Sequence, residues 1–247
     1  MRQVIIIPAR YGSTRFPGKP LILINGKPMI QHVYERALSS KIKEIWVATD
    51  DERIFKEVLR FGGKALMTAK THICGTDRVA EATELLGLSP EDIVVNLQGD
   101  QPFFPSEYFQ LLIEPLLSGK AKMATLATPI KTEEDLYNPN KVKVVLDRKG
   151  YALYFSRSLI PYFRPPGEPP LYLKHIGVYA YTKEFLDLFV KLHPGSLELT
   201  EKLEQLRALE HGYKIAVNIV PEDVPEVDTP EDLEKLTKLT KLRGISL

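Results

Sequence analysis

The sequence has 247 residues and a single cysteine, Cys74, so no internal disulfide can form. That suits a reducing compartment, and the cytosol is the expected location. Long apolar runs are also missing. The N-terminal stretch Val4 to Ile7 stops at Pro8, too short for a signal-peptide core, and nothing approaches a membrane span. There is no charge of one sign in excess, because 33 Lys and Arg stand against 32 Asp and Glu for a net +1. The basic surplus of a nucleic-acid groove and the polybasic helix of a membrane-surface protein are both absent. No internal repeat or low-complexity block occurs. What is present is globular in character, with 44% hydrophobic and 26% charged residues, which excludes disordered and fibrous classes.

Near-neutrality hides an uneven distribution. Arg2, Arg10, Arg15, Lys19 and Lys27 all precede the first acidic residue, Glu35. Between Lys214 and Lys235 the pattern reverses, with Glu222, Asp223, Glu226, Asp228, Glu231, Asp232 and Glu234 and no base.

The apolar pattern alternates between two periods. Val4 to Ile7 is a continuous β-branched run of the kind buried on both faces of a parallel sheet. Helical spacing follows from Pro28, then strand-like Ile45 to Ala48, helical Ile54 to Phe61, strand-like Ala65 to Met67, helical Val79 to Leu86 and strand-like Ile93 to Leu97. A helix over Phe109 to Leu117 and a strand over Met123 to Thr128 continue the series. The fold class expected is α/β, a doubly wound, mostly parallel sheet with helices on both faces. Val142 to Leu146 and Tyr151 to Phe155 predict a smaller antiparallel extension, followed by a Pro-rich loop from Pro161 to Pro170 and a helix-rich tail. With no long flexible linker, residues 1–247 are expected to form one domain.

In such sheets ligands bind beyond the carboxyl ends of the strands. The first strand runs there into Pro8-Ala9-Arg10-Tyr11-Gly12-Ser13-Thr14-Arg15-Phe16-Pro17-Gly18-Lys19-Pro20. Glycines let backbone N–H groups approach phosphate oxygens, and Arg and Lys neutralise them. A P-loop is excluded, because five residues rather than four separate Gly12 from Gly18 and Pro20 stands where a metal-holding hydroxyl belongs. No G-x-G-x-x-G follows either, and a solvated turn is the plain alternative.

This segment resembles the signature of nucleoside-triphosphate:sugar transferases, and its form A-R-x-x-S-T-R-x-P-G-K-P-L is similar to that of the 3-deoxy-manno-octulosonate (Kdo) cytidylyltransferases. The resemblance implies that Arg10, Ser13, Arg15 and Lys19 hold the triphosphate of CTP. It extends nearly end to end. His72-Ile73-Cys74-Gly75-Thr76-Asp77-Arg78 is similar to the family's H-x-S-G-T-[DE]-R, which makes Arg78 a nucleotide ligand and puts Cys74 where the family has Ser. On residue chemistry alone the same segment is a helix start with Thr76 as cap. Asn96-Leu97-Gln98-Gly99-Asp100-Gln101-Pro102 is similar to N-x-Q-G-D-E-P, which implies Asp100 as metal ligand and Gln98 as a substrate contact. Gln101 replaces the usual Glu. A carboxylate at a strand end suits Mg²⁺, which takes one or two carboxylates plus phosphates and water.

The second carboxylate is expected in the acidic stretch, where V-D-T-P-E-D-L-E implies Asp228. Asp232 is expected to be occupied in capping the helix opened by Thr229-Pro230. Glu222, Asp223 and Glu226 read as solvated loop charges. Toward the sugar, the resemblance implies Arg157 and Arg164 as cationic partners of a carboxylate, His175 and Tyr179 from H-[IV]-G-[IV]-Y-x-Y, and Glu204 and Gln205 on an amphipathic helix with the stripe Leu199, Leu203, Leu206 and Leu209. Together these imply a Mg²⁺-dependent transfer of CMP from CTP to the anomeric hydroxyl of Kdo, with release of pyrophosphate, which activates Kdo for lipopolysaccharide biosynthesis. Another acid sugar such as a sialic acid is the alternative acceptor. A homodimer is also implied, with 142–181 as a substrate-binding and dimerisation subregion.

Overall fold

A computed structural model of the chain describes residues 1–12, 16–227 and 229–234. The backbone divides into two compact units, Met1–Gln110 with Val224–Leu247, and Leu111–Asp223.

The first unit contains β1 (Gln3–Ala9), a small hairpin of β2 (Leu23–Ile24) and β3 (Lys27–Pro28), α1 (Met29–Leu38), β4 (Glu44–Thr49), α2 (Glu52–Arg60), β5 (Ala65–Met67), α3 (Gly75–Leu85) and β6 (Ile93–Asn96). Strands β6, β1, β4 and β5 lie side by side, all parallel, with Ile5 opposite Val95 on one flank and Ile45 on the other. Helices α1 and α3 pack on β1 and β4, and α2 packs on β4 and β5. The cause is visible in the sequence. Val4, Ile5, Ile6 and Ile7 have no accessible surface, so β1 has no solvent face, as an unbroken β-branched run requires. In α2 the buried residues Ile54 and Val58 are four apart, and the helix opens on Asp51, whose carboxylate accepts the Arg53 N–H at 2.9 Å.

Helix α4 (Tyr108–Leu117) carries the chain into the second unit, which contains β7 (Met123–Pro129), α5 (Glu133–Tyr137), β8 (Lys143–Leu146), β9 (Ala152–Ser156), β10 (Leu173–Thr182), α6 (Lys183–Phe189), α7 (Ser196–Glu201), α8 (Leu206–Glu210) and β11 (Ala216–Ile219). Here β7 pairs antiparallel with β10 and parallel with β11, and β8 pairs antiparallel with β10 and β9. The expected mostly parallel α/β architecture with an antiparallel extension is therefore the observed one.

Three local expectations change. Helix α3 begins at Gly75, so its cap is Cys74, whose Sγ accepts the Asp77 N–H at 3.4 Å, and not Thr76. The helix expected through Leu199 and Leu209 is two short helices, broken at Lys202, which sits in the left-handed region at φ 54°. Leu199 is consequently exposed, while Leu203 and Leu206 stay buried. The helix-rich tail also holds a strand that the sequence pattern does not single out, β11; Ala216 and Val217 are buried on it while Ile219 is exposed.

Because β1 is flanked on both sides and buried on both faces, it is the least tolerant element of the first unit. Ile6→Ala is expected to cost about 2–5 kcal/mol through lost transfer energy and a residual cavity. A urea titration checks this; an unchanged midpoint would contradict the packing described.

Candidate active site

The first unit carries a pocket of about 350 Å³ lined by Pro8, Ala9, Arg10, Lys19, Pro20, His72, Ile73, Cys74, Gly75, Arg78, Gln98, Gly99 and Asp100. These residues come from the segments after β1, before and within α3, and after β6. The pocket thus occupies the carboxyl edge of parallel strands, the place the fold reserves for ligands. Of the residues expected to bind nucleotide, Arg10, Lys19 and Arg78 line it, with Gln98 and Asp100 beside them. Ser13 and Arg15 lie outside the described residues, as does Asp228.

The loop after β1 closes through the Gly18 N–H, which donates to the Tyr11 carbonyl at 3.0 Å. Gly18 has φ 72°, and a Cβ there would lie 3.2 Å from the Tyr11 ring, so both conformation and space call for glycine. The chain then turns at Lys19–Leu21. Lys19 Nζ reaches the Asp100 carboxylate at 2.9 Å. Gly99, just before Asp100, passes so close to β1 that a Cβ would stand 3.1 Å from the Pro8 carbonyl oxygen. Gln98 donates from Nε2 to the buried Asn96 Oδ1 at 3.1 Å.

Arg78 is almost fully buried, and its guanidinium braces the pocket wall. Nη2 donates to Asp50 at 2.8 Å, while Nη1 donates to the Thr68 hydroxyl and to the Ala69 carbonyl. Of its five donors, Nε and one Nη2 hydrogen are left for a ligand. Asp50, which pins Arg78, was not singled out by the sequence; a turn Asp after a strand carries no signal of its distant partner.

Asp100 presents a carboxylate beside a pocket cation, and the described residues contain no group of three His, Cys, Asp or Glu side chains able to enclose a metal. A donor set of that kind fits Mg²⁺, which draws most of its ligands from nucleotide phosphates and water. On the acidic stretch, the Val227 N–H donates to the Asp100 carbonyl at 2.9 Å, one residue before Asp228. Asp232 is engaged in the cap as expected, accepting from Thr229 N and Oγ1 at 3.0 Å each. The three charges expected to be solvated are exposed, and each also has a partner: Glu222 with Lys131, Asp223 with Lys174, and Glu226 with Gln101.

Apart from Gln98, the expected sugar-side residues belong to the second unit. His175 is held by Thr125. The Thr125 hydroxyl lies 2.7 Å from the Val178 carbonyl and 3.1 Å from that of Ile176, and His175 Nε2 lies 3.0 Å from the same oxygen. A hydroxyl has one hydrogen, and only the carbonyls cannot donate, so Nε2 is the donor to Thr125 and Nδ1 is left as an acceptor. The strand β10 bulges between Ile176 and Tyr179. On a regular strand residues four apart are about 13 Å distant, whereas the rings of His175 and Tyr179 have centroids 5.5 Å apart. Thr125 was missed because only this bulge turns two carbonyls toward it. Burial pushes the His175 pKa down to about 3.

Arg157 spends three of its five donors within the protein. Its Nε donates to the Glu201 carbonyl at 2.7 Å, Nη1 to that of Pro139 at 3.0 Å and Nη2 to that of Lys202 at 3.4 Å, and Glu201 also accepts from Ser156 Oγ at 2.6 Å. Arg164 is exposed. Glu204 lies 3.7 Å from Arg207, which is also bound to Glu198 at 2.6 Å. Gln205 is buried with an Nε2 that has no partner, a donor that only a ligand or water can satisfy.

The neutral His175 has a consequence for stability. Its folded pKa lies below the unfolded value of 6.5, so the unfolded chain binds the extra proton and stability falls as pH drops from about 6.5 toward 3. His175→Gln is expected to remove about 3 kcal/mol of the loss that wild type shows between pH 6.5 and 4. Urea midpoints across that range check it; parallel losses in the two proteins would contradict it.

Comparison with known proteins identifies the family. A family described as cytidylyltransferase matches residues 4–215. An 8-amino-3,8-dideoxy-manno-octulosonate cytidylyltransferase of Shewanella pealeana is 56% identical over 240 residues, 94% of this chain and 96% of the relative. A 3-deoxy-manno-octulosonate cytidylyltransferase of Syntrophobacter fumaroxidans is 56% identical over 237 residues, 95% of each. A solved CMP:2-keto-3-deoxy-manno-octonic acid synthetase complexed with CTP superposes with a TM-score of 0.92 at 45% identity, covering 98% of this chain and all of the other. A cytidylyltransferase structure from Leptospira borgpetersenii, 18% identical with a TM-score of 0.64 and coverage of 98% and 87%, shares the fold. With its glycine-bearing cationic loop and Asp100 at one strand edge, the chain belongs to the cytidylyltransferase family.

Proposed function

We propose that this cytidylyltransferase transfers CMP from CTP to the anomeric hydroxyl of 3-deoxy-manno-octulosonate and releases pyrophosphate. The observation that carries the reading is the Lys19–Asp100 pair inside the pocket. It sets a triphosphate cation and a metal carboxylate side by side, in a chain 56% identical to an enzyme named for this acceptor.

In this reading Arg10 and Lys19, with Ser13 and Arg15, bind the triphosphate and steady the departing pyrophosphate. Asp100 and Asp228 would hold Mg²⁺, which when bound screens charge between the two anions and lowers the pKa of the attacking hydroxyl. Lys19 and Asp100 satisfy one another in the free protein, so substrate binding is an exchange: the ammonium turns from carboxylate to phosphate. No side chain lining the pocket is poised as a dedicated base, and the rate is attributed to positioning and electrostatics. Gln98 and Tyr179 contact the sugar, Gln205 supplies its unused donor, and the Nδ1 of His175 accepts from a hydroxyl. Because His175 is neutral, the sugar carboxylate falls to a guanidinium, either the exposed Arg164 or Arg157, which keeps one hydrogen on each of Nη1 and Nη2.

The names of the Shewanella relatives favour one competing acceptor, the 8-amino analogue. Pyrophosphate release from CTP and Mg²⁺ with Kdo, the 8-amino sugar and a sialic acid separates the readings, with Kdo expected to give the highest kcat/KM; a preference for either rival would overturn the assignment. In the same assay Asp100→Ala is expected to abolish turnover in a folded protein, and activity restored by excess magnesium would remove its metal role. Lys19→Ala is expected to lose about 3 kcal/mol of transition-state stabilisation; a variant within tenfold of wild type would count against it.

The partner proposed for the 142–181 subregion is a second copy of the chain. Leu153, Tyr162 and Leu171 are 62%, 86% and 64% exposed, apolar side chains that burial between protomers would remove from water. Sedimentation is expected to show a dimer that Leu153→Asp with Leu171→Asp weakens; a wild-type monomer at micromolar concentration would refute it.

A further inference from the structure

We propose that Gln101 and Glu226 form a clasp that holds the acidic stretch against the Asp100 loop and so presets the spacing of the two metal carboxylates, which makes Gln101 a positioning residue. The inference rests on the reading of Asp228 as the second of those carboxylates.

Gln101 is 1% exposed, and its Nε2 donates to Glu226 Oε1 at 3.1 Å across 125 residues of sequence. Its own Oε1 is buried without a partner. A buried acceptor left unpaired is unfavourable, so the amide is a poor choice for packing alone. It is a good choice as a donor. A carboxylate at 101 would face that of Glu226, and an apolar side chain would leave Glu226 without the bond. Beside this contact the Val227 N–H donates to the Asp100 carbonyl at 2.9 Å, so successive residues of one segment are tied to successive residues of the other. Val227 is itself buried with Ile24 and Met29, with Phe103 packed against them. On its far side Asp228 is followed by Thr229, fixed through its mutual bonds with Asp232. The acidic stretch is thus tied to the Asp100 loop at residues 226 and 227, and the Gln101–Glu226 bond is the side-chain tie of the two.

Glu226 is exposed, so Glu226→Ala should fold normally; Gln101→Glu and the exchanged pair Gln101→Glu/Glu226→Gln complete the set. Two readouts are compared: the magnesium concentration for half-maximal pyrophosphate release, and amide hydrogen exchange at Val227 in metal-free protein. Each single variant is expected to raise the magnesium requirement by about tenfold while KM for CTP at saturating magnesium moves by less than about threefold. Val227 exchange should quicken by about tenfold in the single variants, and the exchanged pair, which restores the hydrogen bond with donor and acceptor reversed, should bring both readouts back near wild type. Val227 exchange unchanged in the single variants overturns the clasp, and so does a faster exchange that leaves the magnesium requirement where it was. Asp228→Asn tests the reading beneath: if it leaves the magnesium requirement unaltered, the second carboxylate is misassigned, while Val227 exchange still decides whether the clasp exists.

Discussion

The 2.9 Å contact between Lys19 Nζ and the Asp100 carboxylate joins the loop after β1 to the loop after β6. The two strands are parallel and adjacent, so their carboxyl ends emerge side by side and the contact follows from topology. Each loop is then shaped to let it form. Gly18 lets the first loop fold back under the Tyr11 ring, and Gly99 lets the second pass the Pro8 carbonyl without a Cβ between them. A substitution at either glycine acts at a distance on the same pair.

The local charge pattern gains meaning from this arrangement. A net charge of +1 is the sum of a cationic opening and an acidic stretch near the end, and the fold brings part of the second to the first: Val227 bonds to Asp100, while Asp100 bonds to Lys19. Total charge is silent on function because opposed fields cancel in the sum while remaining separate in space.

Much of this was legible in the sequence, and the division has a physical basis. The strand–helix alternation and the loop after β1 are local patterns, in which a β-branched run or a glycine carries its meaning within a few residues. Arg157 shows where that ends. The resemblance implies a ligand cation, yet three of its five donors go to carbonyls of Glu201, Pro139 and Lys202, and no local pattern announces a carbonyl turned inward by a break 45 residues later. That break, at Lys202, is equally hidden, because the leucine spacing of 199 to 209 is helical and only a left-handed residue interrupts it. Cys74 misled more narrowly. A thiol is a weak cap, so Thr76 was the better candidate on propensity, yet the chain starts the helix earlier and lets sulfur do what a serine hydroxyl does more strongly.

The pairings also constrain how anions can bind. Lys19 is matched with Asp100, Arg78 with Asp50, Lys174 with Asp223 and Arg207 with Glu198. In the free protein these cations are therefore already neutralised, and a triphosphate or a sugar acid gains little from the bulk field and must compete with a carboxylate already in place. Lys19 meets that condition only if its partner acquires another positive charge when the ammonium leaves, because an abandoned half-buried Asp100 would cost more than the phosphate returns. In the function proposed above, a divalent cation arriving with the nucleotide would satisfy both groups together. Arg207 differs from Lys19 in setting: Arg207 and Glu198 are each about 90% buried at the side chain, so separating that pair would strand two buried charges.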